Sequence, residues 1–418
     1  MRVLVLVIFA TTYVAISARR LRLLPIGRPA AALVGAATCM ALGAIDPEGL
    51  GVEDALRSVE PHTITLLFGM MVVAAGLDAA GFFAFGARAL ALRALPARTL
   101  LILVTVSSGL LSAVLVNDAV CLLGTPMLVG VVLRSGLPLR PFLFAIAMGS
   151  NAGSALTLSG NPQNMLVAQL SDLTYRGYLA SAAAPTAWAL LVTAMTIAWV
   201  HRTDLAVKSA PSPGPPVEVD RPLLFAAVGS LAALVVANVL GAPLALTALL
   251  AASAVLIAAR RRAEDLLLRV DFGVLIFFAG LFVLVAALGK TGYPAAWLAA
   301  LGDAAKSSKL ALVGVLLGGS QLVSNVPLIL LLEPWIRAQL DPSLAWTLTA
   351  LASTLAGNLT LLGSVANVIV IERALLTLQR EGLDTSPARI GFFDYLKIGV
   401  PVTILSMVGA VAIAVLIQ

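Results

Sequence analysis

The chain has 418 residues, of which 60% are hydrophobic and only 11% charged, and its mean hydropathy is +1.02. A soluble domain carries roughly 25% charged residues, so this chain lacks the polar groups to cover a water-facing surface. The net charge of +6 is read as basic residues gathered in loops, which fix membrane orientation, and not as a nucleic-acid surface.

Taken in chain order, apolar runs occur near 3–18, 29–45, 62–79, 142–169, 178–200, 222–240, 243–259, 271–289, 345–371 and 394–417. The first carries its charge on the wrong side for a signal peptide and lacks a small-residue cleavage site, so it reads as a retained span. Two more apolar segments, 99–133 and 310–337, are broken in the middle. The stretch 203–221, rich in Pro, Ser and mixed charge, reads as a linker. The expected organisation is a first repeat over 1–202, a cytoplasmic linker over 203–221 and a second repeat over 222–418. If each of the ten runs crosses once and each broken segment re-enters, 20 of the 27 Lys and Arg residues fall on one face and 7 on the other. Letting 99–133 cross once separates Arg98 from Arg134 and reverses everything after it, so the re-entrant reading satisfies the positive-inside rule. It places the first hairpin on the cytoplasmic side, the second on the outer side, and both termini outside the cytoplasm. The location implied is the inner (plasma) membrane.

The halves align. Gly69 and Gly81 match Gly280 and Gly292; Asn117 and Pro126 match Asn325 and Pro334; Gly160 and Asn164 match Gly363 and Asn367; Tyr178 and Leu179 match Tyr395 and Leu396. With five crossings per half, the second half is inverted relative to the first, the plan of alternating-access carriers. The fold expected is all-α and membrane-embedded: two inverted repeats, about ten transmembrane helices, two re-entrant hairpins and two broken helices.

Polar residues concentrate at four interruptions. Asn117 and Asp118 break the first hairpin, and Ser324, Asn325 and Pro327 the second. Pro is suited to the first turn of a helix, so Asn325 is expected near the cap of a half-helix beginning at Val326. One broken span is interrupted at Ser159, Gly160, Asn161, Pro162, Gln163 and Asn164, the other at Gly363, Ser364 and Asn367. Irregular backbone at membrane depth is tolerated only where protein buries it or it lines a cavity. Half-helix N-termini suit an anion and unwound carbonyls a cation. No Arg or Lys lies in the four tips.

The segments VNDAVCLLGTP, SGNPQN, SNVPLILLLEP and GNLTLLGSVANVIVIERA, with LDAAGFF at 77–83, resemble the ion transporter superfamily. That group includes arsenite efflux permeases, NhaD-type sodium/proton antiporters and divalent-anion/sodium symporters. In its symporters the tips carry Ser-Asn-Thr and the broken spans Gly-x-Pro-Pro-Asn. Here the tips read Val116-Asn117-Asp118 and Ser324-Asn325-Val326, Gln163 replaces the second Pro, and neither Pro survives in the Gly363–Asn367 copy. The Asp after the tip Asn is similar to the arsenite-permease and NhaD branch. The resemblance implies transport of a small inorganic or metalloid anion or its neutral acid, with sodium/proton antiport and sodium-coupled dicarboxylate symport as alternatives. It implies no organic cofactor, a bound Na+ or H+, no nucleic-acid partner and a homodimer by analogy.

The site residues expected are Asn117, Asp118, Thr157, Gly160, Asn161, Asn164, Ser324, Asn325, Thr360, Gly363, Ser364 and Asn367, with Asp118 and Glu333 as coupling candidates. An intramembrane carboxylate usually marks an ion or proton path, and Asp118 is the proton carrier expected. Glu333 either faces the site or lies at the outer interface beside Arg337. Asp78 and Glu372 read as span-end charges, His62 as interfacial and His201 as a loop residue. Cys121, three residues after Asp118 on the same helical face, is either a small hydrophobe or a soft ligand; neither it nor Cys39 belongs to a metal set. No zinc motif, catalytic histidine or intramembrane carboxylate dyad points to an enzyme.

Overall fold

The computed structural model describes residues 2–17, 27–46, 49–93, 95–207, 216–300 and 308–417. The first half runs α1 (Arg2–Ser17), α2 (Arg28–Ile45), α3 (Val52–Ser58), α4 (Pro61–Ala79), α5 (Phe82–Ala91), α6 (Ala97–Val114), α7 (Asn117–Arg134), α8 (Leu139–Ser154), α9 (Pro162–Leu170) and α10 (Tyr175–Val200). The second repeats that order: α11 (Arg221–Val239), α12 (Leu244–Ala259), α13 (Ala263–Leu268), α14 (Phe272–Lys290), α15 (Tyr293–Ala300), α16 (Lys309–Val323), α17 (Asn325–Arg337), α18 (Pro342–Ala356), α19 (Val365–Arg380) and α20 (Phe392–Ile417). Among the described residues nine helices are long and apolar enough to cross a membrane.

The helices sort into two packed groups. One holds α1, α2, α4, α11, α12 and α14; the other holds both hairpins, both broken helices, α10 and α20. Within the first group the repeats interlock crosswise: α4 packs on α12, and α14 on α2. Small residues let helix backbones approach closely in lipid. A Cβ on Gly69 would stand 2.7 Å from the Ala248 backbone, and one on Gly280 would stand 2.9 Å from the Ala32 backbone. The same contact is therefore made twice, once from each repeat. Gly81 and Gly292, which end the matched helices, are left-handed at φ +87° and +77°, a conformation glycine adopts without steric cost.

The ends of this crossing carry matched ion pairs with the signs exchanged. Asp78, at the end of α4, bonds Arg269 at 2.9 Å; Lys290, at the end of α14, bonds Asp54 of α3 at 2.6 Å. Each pair joins one repeat to the other.

Several boundaries differ from expectation. The short helices α3, α5, α13 and α15 replace stretches read as loops, again in matched positions. Helix α19 continues past the expected end at 371 to Arg380, so Glu372 and Arg373 are helical. The arms α6 and α7 are 18 residues each, about 27 Å at the α-helical rise, long enough to span. They form a hairpin because the chain reverses at Leu115–Val116, where the Asn117 N–H donates to the Gly160 carbonyl inside the break of the first broken helix, at 3.0 Å. Of the linker, Asp204–Ala206 forms a helical turn with Leu205 buried, the Asp220 N–H donates to the Ala80 carbonyl, and 208–215 lie outside the described residues. His201 is not a loop residue: it ends α10, is buried, and meets Asp204 at 2.8 Å.

Candidate substrate and ion site

Both hairpins turn abruptly. Val116 precedes α7 with ordinary extended torsions, and Asn117 and Asp118 are the first two helical residues and not its cap. In the second hairpin α17 begins at Asn325, one residue earlier than expected. Ser324 is the cap there, with φ 63° and ψ 161°, a region that strains any residue with a Cβ. Neither helix receives a side-chain cap: Val116 has no polar group to offer, and Ser324 makes no capping bond.

The broken helices are held by a buried amide and hydroxyl network that obeys the repeat. Asn164 donates to the Thr157 carbonyl at 2.9 Å and the Ser154 carbonyl at 3.4 Å; Asn367 donates to the Thr360 carbonyl at 3.2 Å and the Gly357 carbonyl at 2.8 Å. Each asparagine thus ties the start of its half-helix to the unwound backbone preceding it, the segments 155–161 and 357–364. The network also crosses between repeats. The Thr354 hydroxyl donates to Asn164 Oδ1 at 3.2 Å, and Asn151 Nδ2 donates to Asn367 Oδ1 at 3.0 Å. Asn161 caps α9 through the Asn164 N–H at 2.8 Å and donates to Thr354 at 3.1 Å; its counterpart Ser364 donates to Asn151 Oδ1 at 3.0 Å.

The hairpins join at equivalent points. Thr157 donates to the Ala113 carbonyl at 2.5 Å, and Thr360 to Gln321 Oε1 at 2.8 Å. A backbone carbonyl in one repeat is replaced by a side-chain amide in the other, and Gln321 returns a bond to the Ala356 carbonyl at 2.9 Å. Asn117 Nδ2 donates to Asn151 Oδ1 at 2.9 Å.

Among the described residues twelve buried side-chain polar atoms have no protein partner, and four of them lie on the two hairpins: Asn117 Oδ1, Asn325 Oδ1, Ser112 Oγ and Ser320 Oγ. They form two matched pairs, each a tip asparagine and a serine in the arm leading to that tip. Leaving a buried polar group unsatisfied costs about 1–3 kcal/mol, and both hairpins carry that cost at matched positions.

Eleven of the twelve expected residues lie at these breaks, their side chains or backbones in the network or at the tips: Asn117, Thr157, Gly160, Asn161, Asn164, Ser324, Asn325, Thr360, Gly363, Ser364 and Asn367. Asp118 is turned away. It is 7% exposed and lines a separate small cavity with Met71, Ala74, Arg269 and Asp271. Glu333 is not brought to the tips. It is ion-paired with Arg337 at 2.9 Å, eight residues and about 12 Å of helix beyond Asn325. Cys121, one helical turn after Asp118, does not line the Asp118 cavity: its Sγ meets Ser150 Oγ at 3.0 Å on α8, where it is a small packed group. The residues missed by sequence reasoning are Asn151, Thr354, Asn358 and Gln321. Asn358 accepts from Asn151 at 3.0 Å and donates to the Met148 carbonyl at 3.1 Å.

A polytopic bundle of two inverted repeats, with paired hairpin tips meeting paired breaks, defines the class: a membrane transporter of the secondary type. The chain belongs to the citrate transporter family, whose model matches residues 4–356. It is 30% identical to the silicon efflux transporter LSI3 of Oryza sativa subsp. japonica, over 91% of each chain. It is 25% identical to the putative transporter arsB of Dictyostelium discoideum, over 94% of this chain and 88% of that one, and 29% identical to the inner membrane protein YbiR of Escherichia coli, over 76% and 81%. The crystal structure of the Alcanivorax borkumensis YdaH transporter, described as having an unusual topology, superposes with a TM-score of 0.51 at 16% identity, covering 93% of this chain and 96% of that one. At that identity the likeness concerns the fold alone.

Proposed function

We propose that this chain carries a small inorganic or metalloid oxyacid across the membrane by alternating access, taking it up in its uncharged form, in exchange for protons carried by Asp118. The observation that carries the reading is the pair of orphaned amide oxygens, with a pair of orphaned hydroxyls, on the two hairpins and no Lys or Arg among them. An amide oxygen whose own NH2 is already spent needs a donor. A neutral hydroxy-acid of silicon or arsenic offers O–H donors in several directions; a carboxylate or sulfate offers only acceptors and would need cations the site lacks. The names of the silicon efflux and arsB relatives support the same substrate class. The repeat boundaries at 1–202, 203–221 and 222–418, and both termini on the outer side of the plasma membrane, belong to this reading.

A second reading has its own support. The same oxygens suit a sodium ion, a hard cation held by oxygen ligands, so sodium/proton antiport would use the tips without an oxyacid. Everted vesicles decide between them. Silicic acid or arsenite should collapse an imposed proton gradient while citrate and sulfate do not. Collapse by sodium alone, with no response to either oxyacid, refutes the first reading in favour of the second.

A further inference from the structure

Asp118 is nine-tenths buried and has no hydrogen-bond or ion-pair partner among the described residues. The cavity it lines measures about 30 Å³ and also meets Leu122, Val274 and Ile369, room for about one water. A larger cleft of about 290 Å³ adjoins it, lined by Arg28, Asp271, Phe277, Val368, Ile369 and Glu372 among others. The two share Asp271, Val274 and Ile369. A cleft lined by Arg28, Glu372 and Asp271, at the face where α2 and α14 begin, thus lies next to the small cavity at Asp118.

We propose that this cleft is a dedicated proton route to Asp118, with Asp271 as its intermediate carboxylate, separate from the amide network that holds the hairpin tips and the breaks. The proposal rests on the proton-coupled reading above. Hydronium gives up an O–H bond as one forms at Asp271; the Asp271 O–H then breaks as the proton passes through the water-sized cavity and an O–H forms at Asp118, leaving Asp271 a carboxylate again. The charged groups around Asp118 suit a carboxylate that cycles. Arg269 is held by Asp78 of α4, so one cation is already engaged, while Asp271 and Glu372 set negative charge along the route and Arg28 limits it. Helices α6 and α8 carry their charges, Arg98 and Arg140, in first turns at the far end of α7, and Arg88 of α5 lines a different pocket with Arg221.

Two measurements test it. In a Cys39→Ala, Cys121→Ser background, Val274→Cys and Ile369→Cys should react with a small cationic thiosulfonate from the cleft side, while Leu143→Cys, fully buried, does not; no reaction at Val274→Cys overturns the route. In proteoliposomes, Asp271→Asn should slow net proton-driven uptake at least tenfold while substrate exchange stays within twofold, and Asp271→Glu should recover uptake. Asn is a suitable variant because it can still cap α14 as Asp271 does through the Val274 N–H. Unchanged net uptake, or equal loss of uptake and exchange, overturns the relay. Proton-independent transport by the unmodified protein overturns the functional reading and the relay with it, whatever the labelling shows.

Discussion

Asn151 of the first repeat and Thr354 of the second occupy equivalent positions, and each supports the broken helix of the opposite repeat, Asn151 through Asn367 at 3.0 Å and Thr354 through Asn164 at 3.2 Å. The two broken helices are therefore tied to each other's repeat. A displacement at one broken helix is felt at the other through a single buried network, where polarised hydrogen bonds reinforce one another.

Asn151 is expected to be the costliest single loss there. It donates to Asn358 and Asn367 and accepts from Asn117 and Ser364. Asn151→Ala strands four partners and leaves a cavity, each unsatisfied group costing about 1–3 kcal/mol, whereas Thr354→Val keeps the shape and gives up three longer bonds, to Asn164, Asn161 and Gln163. Thermal unfolding in detergent should show a markedly larger drop for Asn151→Ala; equal drops contradict the network's hierarchy.

The orphaned serines should behave in the opposite way. Ser112→Ala and Ser320→Ala remove hydroxyls that have no partner, so the substrate-free protein should be as stable or slightly more so. Transport should weaken nonetheless, with KM rising about tenfold, equivalent to roughly 1.4 kcal/mol. Lower stability with unchanged KM would show that the hydroxyls serve the fold.

Much of this was legible in the sequence, for identifiable reasons. Gly81 and Gly292 matched because both must adopt positive φ, and Gly69 and Gly280 because both lie under a crossing backbone. Asn164 and Asn367 matched because each repairs the same unwound turn. Asn151, Thr354 and Gln321 escaped notice because they sit within regular helices, where a polar residue in a run of small ones looks like ordinary helix packing. Asn117 and Asp118 are adjacent in sequence, yet successive helical residues point about 100° apart, so Asn117 reaches Asn151 while Asp118 lines a different cavity. The short helices α3, α5, α13 and α15 were hidden by their length and charges.

The crossing of α4 and α14 with the opposite repeat gives a packing expectation. Gly69→Ala and Gly280→Ala each place a methyl within 3 Å of backbone, and overpacking of this kind costs about 1–3 kcal/mol. The two variants should lower the unfolding temperature by similar amounts. A large difference between them would deny the equivalence of the two crossings.

The pair Asp54–Lys290 carries a pH expectation. Its hydrogen bond and the Lys290 charge hold the Asp54 carboxyl below the usual carboxylate range. A depressed folded-state value means the contribution is present above the unfolded carboxylate's pKa and is lost as pH falls through the folded one. Because the pair is exposed and screened, its effect at neutral pH should be small and salt-sensitive. Asp54→Asn should remove that pH dependence below about pH 4, and an unchanged acid profile would show that the pair contributes nothing.

The most direct measurement is equilibrium binding to the purified protein, comparing silicic acid and arsenite with citrate and sulfate at neutral pH. Saturable binding of the uncharged acids is expected, abolished together in Asn117→Ala and Asn325→Ala, with no binding of the two anions. Tight citrate binding that survives both substitutions would contradict the account.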